Sequence, residues 1–187
     1  FGDMDVGSRD HAAISSSTRL LKGGSSSPSL SNAIGSIEFS TKGNGANFGD
    51  LTEARRNPGG FSNTTRGLFA GGSGTPGSST MKNIIDYVTI ASEGNATDFG
   101  DLTSARRCSN SGAGSSTRAI FSGGTTPGTG DYVNTIDYVT TASTGNATDF
   151  GDLTVARSYG SALSSSTRAV YCAGQSPSAS NVIDYVT

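Results

Sequence analysis

IDYVTTASTGNATDFGDLTVAR, residues 136–157, is the stretch that decides how this chain folds. Its opening, Ile-Asp-Tyr-Val-Thr, is rich in β-branched and aromatic residues, which fit a pleated, half-buried surface. Gly145-Asn146 then supplies turn chemistry, and a second short strand-like segment surrounds Phe150. The same pattern begins at Ile85, and GNATDFGDLT recurs unchanged at 94–103 and 145–154. A segment repeated so closely is a structural unit, and the search for repeats comes before any other assignment.

Working outward, Phe-Gly-Asp occurs at Phe1, Phe48, Phe99 and Phe150. Thr-Arg occurs at Arg19, Arg66, Arg118 and Arg168. A glycine pair follows it, Gly23-Gly24, Gly71-Gly72 and Gly123-Gly124, with Ala173-Gly174 in the last copy. Ile-acid-aromatic closes the series at Ile37-Glu38-Phe39, Ile85-Asp86-Tyr87, Ile136-Asp137-Tyr138 and Ile183-Asp184-Tyr185. Four landmarks in a fixed order divide the chain into repeats of about 1–47, 48–98, 99–149 and 150–187.

Within a unit, TRGLFAGG (65–72), TRAIFSGG (117–124) and TRAVYCAG (167–174) are short apolar runs ending near Gly. The segments 83–92 and 134–143 are longer and strand-like, the Phe-Gly-Asp segment is a third strand, and residues such as 108–114 offer a fourth. No 3.6-residue periodicity is present, so helical solenoids are excluded. Four strands in about 50 residues, repeated, predict an all-β fold of propeller blades. Such a sheet buries both faces only by stacking on its neighbours.

The pattern R-x-x-x-(F/Y)-x-G-G, a variable loop, I-D-Y, an aromatic and L-T-x-A-R resembles the kelch repeat. It reads here Arg118, Phe121, Gly123-Gly124, Asp137, Tyr138, Phe150, Leu153 and Arg157. The kelch tryptophan is absent, and Phe99 and Phe150 stand in its place. The particular wording, IDYVTIAS, GNATDFGDLT and SSSTR, is similar to repeats in structural proteins of tailed-bacteriophage tails, including tail fibres. That resemblance implies a virion protein, assembled with other tail subunits and homo-oligomeric, which contacts a host glycan or protein. A ring of four blades closed by residues 1–6, and a window from a longer propeller, are both compatible with the order of landmarks. The absence of an initial Met fits processing or such a window.

Composition narrows the chemistry. There are 27 glycines in 187 residues, and most occupy the repeated landmarks rather than random linkers. Net charge is −2 with no Lys/Arg run, so an electrostatic nucleic-acid footprint is missing. No apolar run approaches a membrane span, and no signal peptide is visible. A single His, His11, builds neither a zinc site nor a Ser–His device. Cys108 and Cys172 sit at different repeat phases and are expected to be free thiols.

Charges locked to the repeat phase favour structure over catalysis. A ladder is expected in which a repeated Thr-Arg arginine pairs a repeated Asp of an adjoining strand or blade, or caps a turn. Asp98 with Asp101, and Asp149 with Asp152, supply too few oxygens for calcium and are expected to cap turns. The Asn63, Asn95 and Asn146 sequons are likewise read as turn chemistry. No cofactor or metal is implied. The segments between the glycine pair and Ile-acid-aromatic, 25–36, 73–84, 125–135 and 175–182, vary on a fixed scaffold, where binding residues concentrate. Asp131 and Tyr132 are the candidate binding pair there. The expected function is a non-enzymatic platform; a lectin-type propeller and a polysaccharide-acting enzyme are the alternatives.

Overall fold

The β-branched runs pair as expected, and the Gly and Asn positions turn the chain between them. The computed structural model describes residues 2–74, 80–128 and 131–187. Sheet one comprises β1 (Ala12–Ser15), β2 (Arg19–Ser25), β3 (Ser31–Glu38) and β4 (Ala46–Asp50). Sheet two comprises β5 (Gly59–Ser62), β6 (Arg66–Ala70), β7 (Ile84–Thr89) and β8 (Thr97–Asp101). Sheet three comprises β9 (Gly112–Gly114), β10 (Arg118–Thr125), β11 (Tyr132–Thr140) and β12 (Thr148–Asp152). Sheet four pairs β13 (Ser161–Ser164), β14 (Ala169–Cys172) and β17 (Ile183–Val186), with a small hairpin of β15 (Gln175–Ser176) and β16 (Ser178–Ala179). Every ladder is antiparallel, and among the described residues there is no helix.

The arrangement is a four-bladed β-propeller. The inner strands pack in series, β1 on β5, β5 on β9 and β9 on β13. Each joint between blades has its own apolar core. Ile14, Leu21, Ile34 and Phe48 of sheet one meet Phe69, Val88 and Ile90 of sheet two. Phe61, Leu68, Ile85 and Phe99 meet Cys108, Ala119, Phe121 and Val139. Ala113, Ile120, Ile136 and Leu153 meet Ala169, Tyr171 and Val186. Removing this apolar area from water, at roughly 25 cal/mol per Å², is what makes each sheet need its neighbour.

The blades do not begin where the repeats were cut. Phe-Gly-Asp forms the fourth strand of its sheet (β4, β8, β12), so a repeat starting there separates each sheet from its own edge strand. Residues 2–6 form no ladder with β17. Residues 2–3 lie on the Asn44 turn of sheet one: Gly45 N donates to Asp3 O (2.7 Å) and Asp3 N to Asn44 Oδ1 (3.0 Å). The same bonds join Asp50 to Asn95 and Asp101 to Asn146. The outward face of sheet four is open. Leu163 is 76% and Ile183 67% exposed, whereas their counterparts Phe61 and Ile85 are buried.

Register also corrects two landmarks of the first copy. Arg19 faces Glu38 across the ladder as Arg66 faces Thr89, so Glu38 corresponds to Thr89 and Gly35 to Asp86. The Ile37-Glu38-Phe39 match is therefore three residues out. The glycine pair is out by one: Ser25 N bonds Arg55 O as Gly72 N bonds Arg106 O, so Gly24-Ser25 is the true counterpart of Gly71-Gly72.

Gly71 and Gly123 show why that landmark is glycine. Both have left-handed backbones (φ 62° and 64°), and an added Cβ would come within 2.5 and 2.4 Å of the carbonyl oxygens of Arg106 and Arg157. Ala173 holds the same conformation, φ 59°, with a Cβ.

Candidate functional site

The sequence repeats two arginines per unit, and the structure gives them different tasks. The Thr-Arg arginines stack on aromatics: Arg66 over Tyr87 (4.7 Å), Arg118 over Tyr138 (4.6 Å) and Arg168 over Tyr185 (4.6 Å). Phe99 and Phe150 meet Tyr87 and Tyr138 edge-on, with centroids 5.8 and 5.9 Å apart. Arg66 Nη1 also donates to Thr141 O of the next sheet (2.7 Å). These arginines do not pair the repeated aspartates.

That partner is the arginine of Leu-Thr-x-Ala-Arg, in the connection leaving each sheet. Arg106 Nη1 lies 2.8 Å from Asp137 Oδ2, and both side chains are wholly buried. Arg106 Nε donates to Gly123 O (3.0 Å) and Nη2 to Phe121 O (3.1 Å). Thr103 completes the clamp, donating its N–H and hydroxyl to the same carboxylate (3.1 and 2.6 Å). Arg157–Asp184 (2.6 Å) repeats the arrangement, whereas Arg55 keeps the ion pair with Asp86 (2.9 Å) and the bond to Phe69 O through Nη2 alone, its Nε and Nη1 being buried without a partner. A buried charge is tolerable only when paired and fully hydrogen-bonded, and each Asp here has an Arg and a Thr hydroxyl. Burial lowers the Arg55 pKa, with Asp86 opposing the shift. At Asp184 burial pushes the carboxyl up, but the Thr154 hydroxyl and Arg157 outweigh it and hold it below its ordinary value.

Within sheet one another pair takes the place of this machinery. Gly35 stands where Asp86 would be, and Lys22 where Phe69 would be. The buried Lys22 ammonium reaches Asp5 (3.3 Å) and Val6 O (3.3 Å), and Gly35 leaves the room: a Cβ there would lie 2.6 Å from Asp5 Oδ1. The ionic pair has moved without being lost.

Two cavities lie at opposite ends of the blade axis. One is lined by the β1–β2 type turns of all four sheets, Ser15–Ser17, Ser62–Thr64, 114–116 and Ser164–Ser166. Some of those side chains close their own turns, while Ser62 and Ser164 bond the main chain of Ser15 and Gly114 in another sheet and Asn63 Nδ2 donates to Ser116 O. Ser16 Oγ accepts from Arg19 N, Asn63 Oδ1 from Arg66 N, Ser115 Oγ from Arg118 N and Ser165 Oγ from Arg168 N. The Ser-Thr-Arg landmark is thus a turn motif, and Asn63, Asn95 and Asn146 all act as turn acceptors.

The other end carries the connections between sheets and the β2–β3 type loops. Bridges join them at Arg56–Ser73, Arg107–Thr125 and Ser158–Gln175. Its cavity, about 370 Å³, is lined by Asp10, His11, Ala13, Asn57, Ser109, Asn110 and Tyr159. Asn57, Asn110 and Tyr159 come one from each connection between sheets and Asp10 from the segment leading into β1, and all four have left-handed backbones, φ 54°, 58°, 61° and 59°. Their main chains tie the connections together: Asn57 N donates to Asp10 O, Cys108 N to Asn57 O and Ala162 N to Asn110 O. Burial, then the Lys22 charge, lowers the His11 pKa.

Asp131 and Tyr132 lie outside this lining. Asp131 is exposed at the start of the loop's return, its carbonyl accepting from Thr126 N (3.0 Å), and Tyr132 opens β11, half-buried. Residues 75–79 and 129–130 of the variable loops fall outside the described residues. Asp98 Oδ1 and Asp149 Oδ1 accept from Gly100 and Gly151 N, as turn caps do. Cys108 and Cys172 are free, and burial pushes the Cys108 thiol up. No helix is long and apolar enough to cross a membrane among the described residues.

Compared with known proteins, the chain matches no family model, and no curated protein is significantly similar to it.

Proposed function

We propose that this chain is a non-enzymatic structural and binding module of a bacteriophage tail, a fibre or tail-tip component whose loop end faces a host receptor or neighbouring subunits. The observation that carries the non-enzymatic reading is the use made of the repeated charges. The Asp of Ile-Asp-Tyr and the Arg of Leu-Thr-x-Ala-Arg, a repeated acid and base in contact, are spent on the joints. The tail assignment rests on the resemblance of the IDYVTIAS and GNATDFGDLT wording to tail repeats. The partners that follow are other tail subunits, further copies of this chain and a surface glycan or protein, and the location is the virion.

Rigid blades with differing loops suit that role, because a scaffold that does not deform keeps contact residues in place. Antibodies raised against the chain should decorate the tails of particles in a lysate of the source phage. Recovery only in the particle-free fraction would overturn the tail assignment. Release of reducing ends from polysaccharides by the purified chain would overturn the non-enzymatic one.

A further inference from the structure

We propose that the loop-end mouth of the blade axis binds one neutral pyranose unit of a glycan, hydrogen-bonded by Asn57, Asn110 and Asp10 and stacked on Tyr159. This deepens the receptor-facing half of the reading above and rests on it only for biological context.

The four positions are structurally equivalent but chemically different. The repeat fixes a left-handed residue ahead of the first strand of each sheet, and the identities run Asp, Asn, Asn, Tyr. Asp and Asn tolerate this conformation, whereas a bulky Tyr there is an outlier. Strain of that kind gathers at binding sites. Tyr159 is half exposed and lines the cavity.

The mouth differs from the opposite end in what its side chains do. Among the described residues, the side chains of Asn57, Asn110 and Tyr159 make no hydrogen bond to the protein, while at the far end Ser16, Ser115 and Ser165 close their own turns and Ser62 and Ser164 tie one sheet to another. Ser109, more than nine-tenths buried, lines the same cavity, and its Oγ has no hydrogen-bond partner. It stands in the connection leaving sheet two, which is two residues longer than the other two, counted from Arg106 to Asn110 against Arg55 to Asn57 and Arg157 to Tyr159.

The donor set selects the ligand. Two carboxamides offer donors and acceptors together, which is what the vicinal hydroxyls of a sugar present. A tyrosine supplies an apolar face for the ring's C–H bonds. A cation fits poorly: the one carboxylate, Asp10, already accepts from Ser26 Oγ (2.6 Å) and lies 3.9 Å from Arg56, and no trio of His, Cys, Asp or Glu gathers among the described residues. His11, its pKa lowered, is a neutral imidazole at neutral pH, with Nδ1 3.4 Å from Ser8 Oγ.

The single histidine makes the test direct. The His11 ring signals and the Asn57 and Asn110 side-chain amides are followed by NMR while methyl glycosides of glucose, galactose, mannose and N-acetylglucosamine are titrated into the intact chain. A saturable shift of these signals by at least one glycoside is expected. Asn110→Gly and Tyr159→Asn keep the left-handed backbone and should each weaken binding at least tenfold; Glu93→Ala, at an exposed position away from the mouth, should leave it unchanged. Silence with every glycoside, a shift that survives the Asn57→Gly/Asn110→Gly double variant, or saturation by a peptide library instead would overturn the proposal. Tail labelling by antibody in the face of such silence would leave the tail reading standing, and sugar binding without tail labelling would do the reverse.

Discussion

Replacing Arg106 by Met removes the centre of the second joint while keeping side-chain volume. Four hydrogen bonds are lost: those to Asp137 Oδ2, Gly123 O and Phe121 O, in a dry environment, and a longer one to Ser104 Oγ (3.4 Å). A bond to a charged group contributes about 1.5–3 kcal/mol and a neutral one about 0.5–1.5. The Asp137 carboxylate is left buried with Thr103 alone. Breaking one partner of a buried pair costs about 3–5 kcal/mol, and the summed bonds reach the same range. Urea unfolding followed by far-UV circular dichroism and tyrosine fluorescence measures it, since the chain has no tryptophan. Lys82→Met, which breaks the exposed Lys82–Glu53 pair, is the internal comparison and should cost about 0.5 kcal/mol or less. Adding Asp137→Asn to Arg106→Met should cost far less than the sum of the single effects, because the two side chains are in contact. A loss below about 1 kcal/mol for Arg106→Met, or strict additivity with Asp137→Asn, would refute the claim that this pair anchors the joint.

Further outcomes follow from the same geometry. Ala173→Gly should stabilise the chain by about 0.5–1 kcal/mol, because Gly takes a left-handed backbone without penalty, whereas Gly123→Ala should cost more than about 2 because of the Arg157 carbonyl; thermal unfolding reads both. The Asp184 carboxyl is held below its ordinary value, so its contribution is complete above the unfolded-chain pKa of about 4 and disappears as pH falls through the folded pKa. The stability gap between the native chain and Asp184→Asn should accordingly be flat from neutral pH down to about 5 and close in stronger acid. A thiol reagent at mildly alkaline pH should modify Cys172 in the folded chain and reach Cys108 only on unfolding, as counted by mass spectrometry. Tyr159→Asn should raise stability by about 0.5–1 kcal/mol by relieving the left-handed tyrosine, in opposition to its expected loss of sugar binding.

The strands were legible because β-branched and aromatic runs recur together with their turn residues, and these runs became ladders where expected. The order of the blades was less so. Phe-Gly-Asp is the most visible landmark and draws the boundary to itself, yet it is the last strand of a sheet. In the first copy the letters misled: Lys22, Gly35 and Ser36 stand where Phe69, Asp86 and Tyr87 would be, and Ile37-Glu38-Phe39 imitates the lost motif nearby. The ladder of charges was anticipated, but not which arginine makes it, since both arginines recur in phase and only burial separates them. The signal for Arg55, Arg106 and Arg157 was present in Leu-Thr-x-Ala-Arg, whose threonine and arginine recur as a set. The loop-end mouth was invisible because its residues share backbone conformation, not identity. Asp131 and Tyr132 are conspicuous in a variable loop, whereas Asn57, Asn110 and Tyr159 read as ordinary turn residues.

The central claim is that each connection clamps the next sheet through its Thr and Arg. Amide hydrogen exchange at Thr52 and Thr103 tests it most directly, because each N–H donates to a buried carboxylate of the following sheet (Asp86 and Asp137, 3.0 and 3.1 Å) and neither belongs to a strand. Protection comparable to the adjoining strands, lost at Thr103 in Arg106→Met, is the predicted result. Exchange at the rate of an open loop, with the strands themselves protected, would contradict the joint.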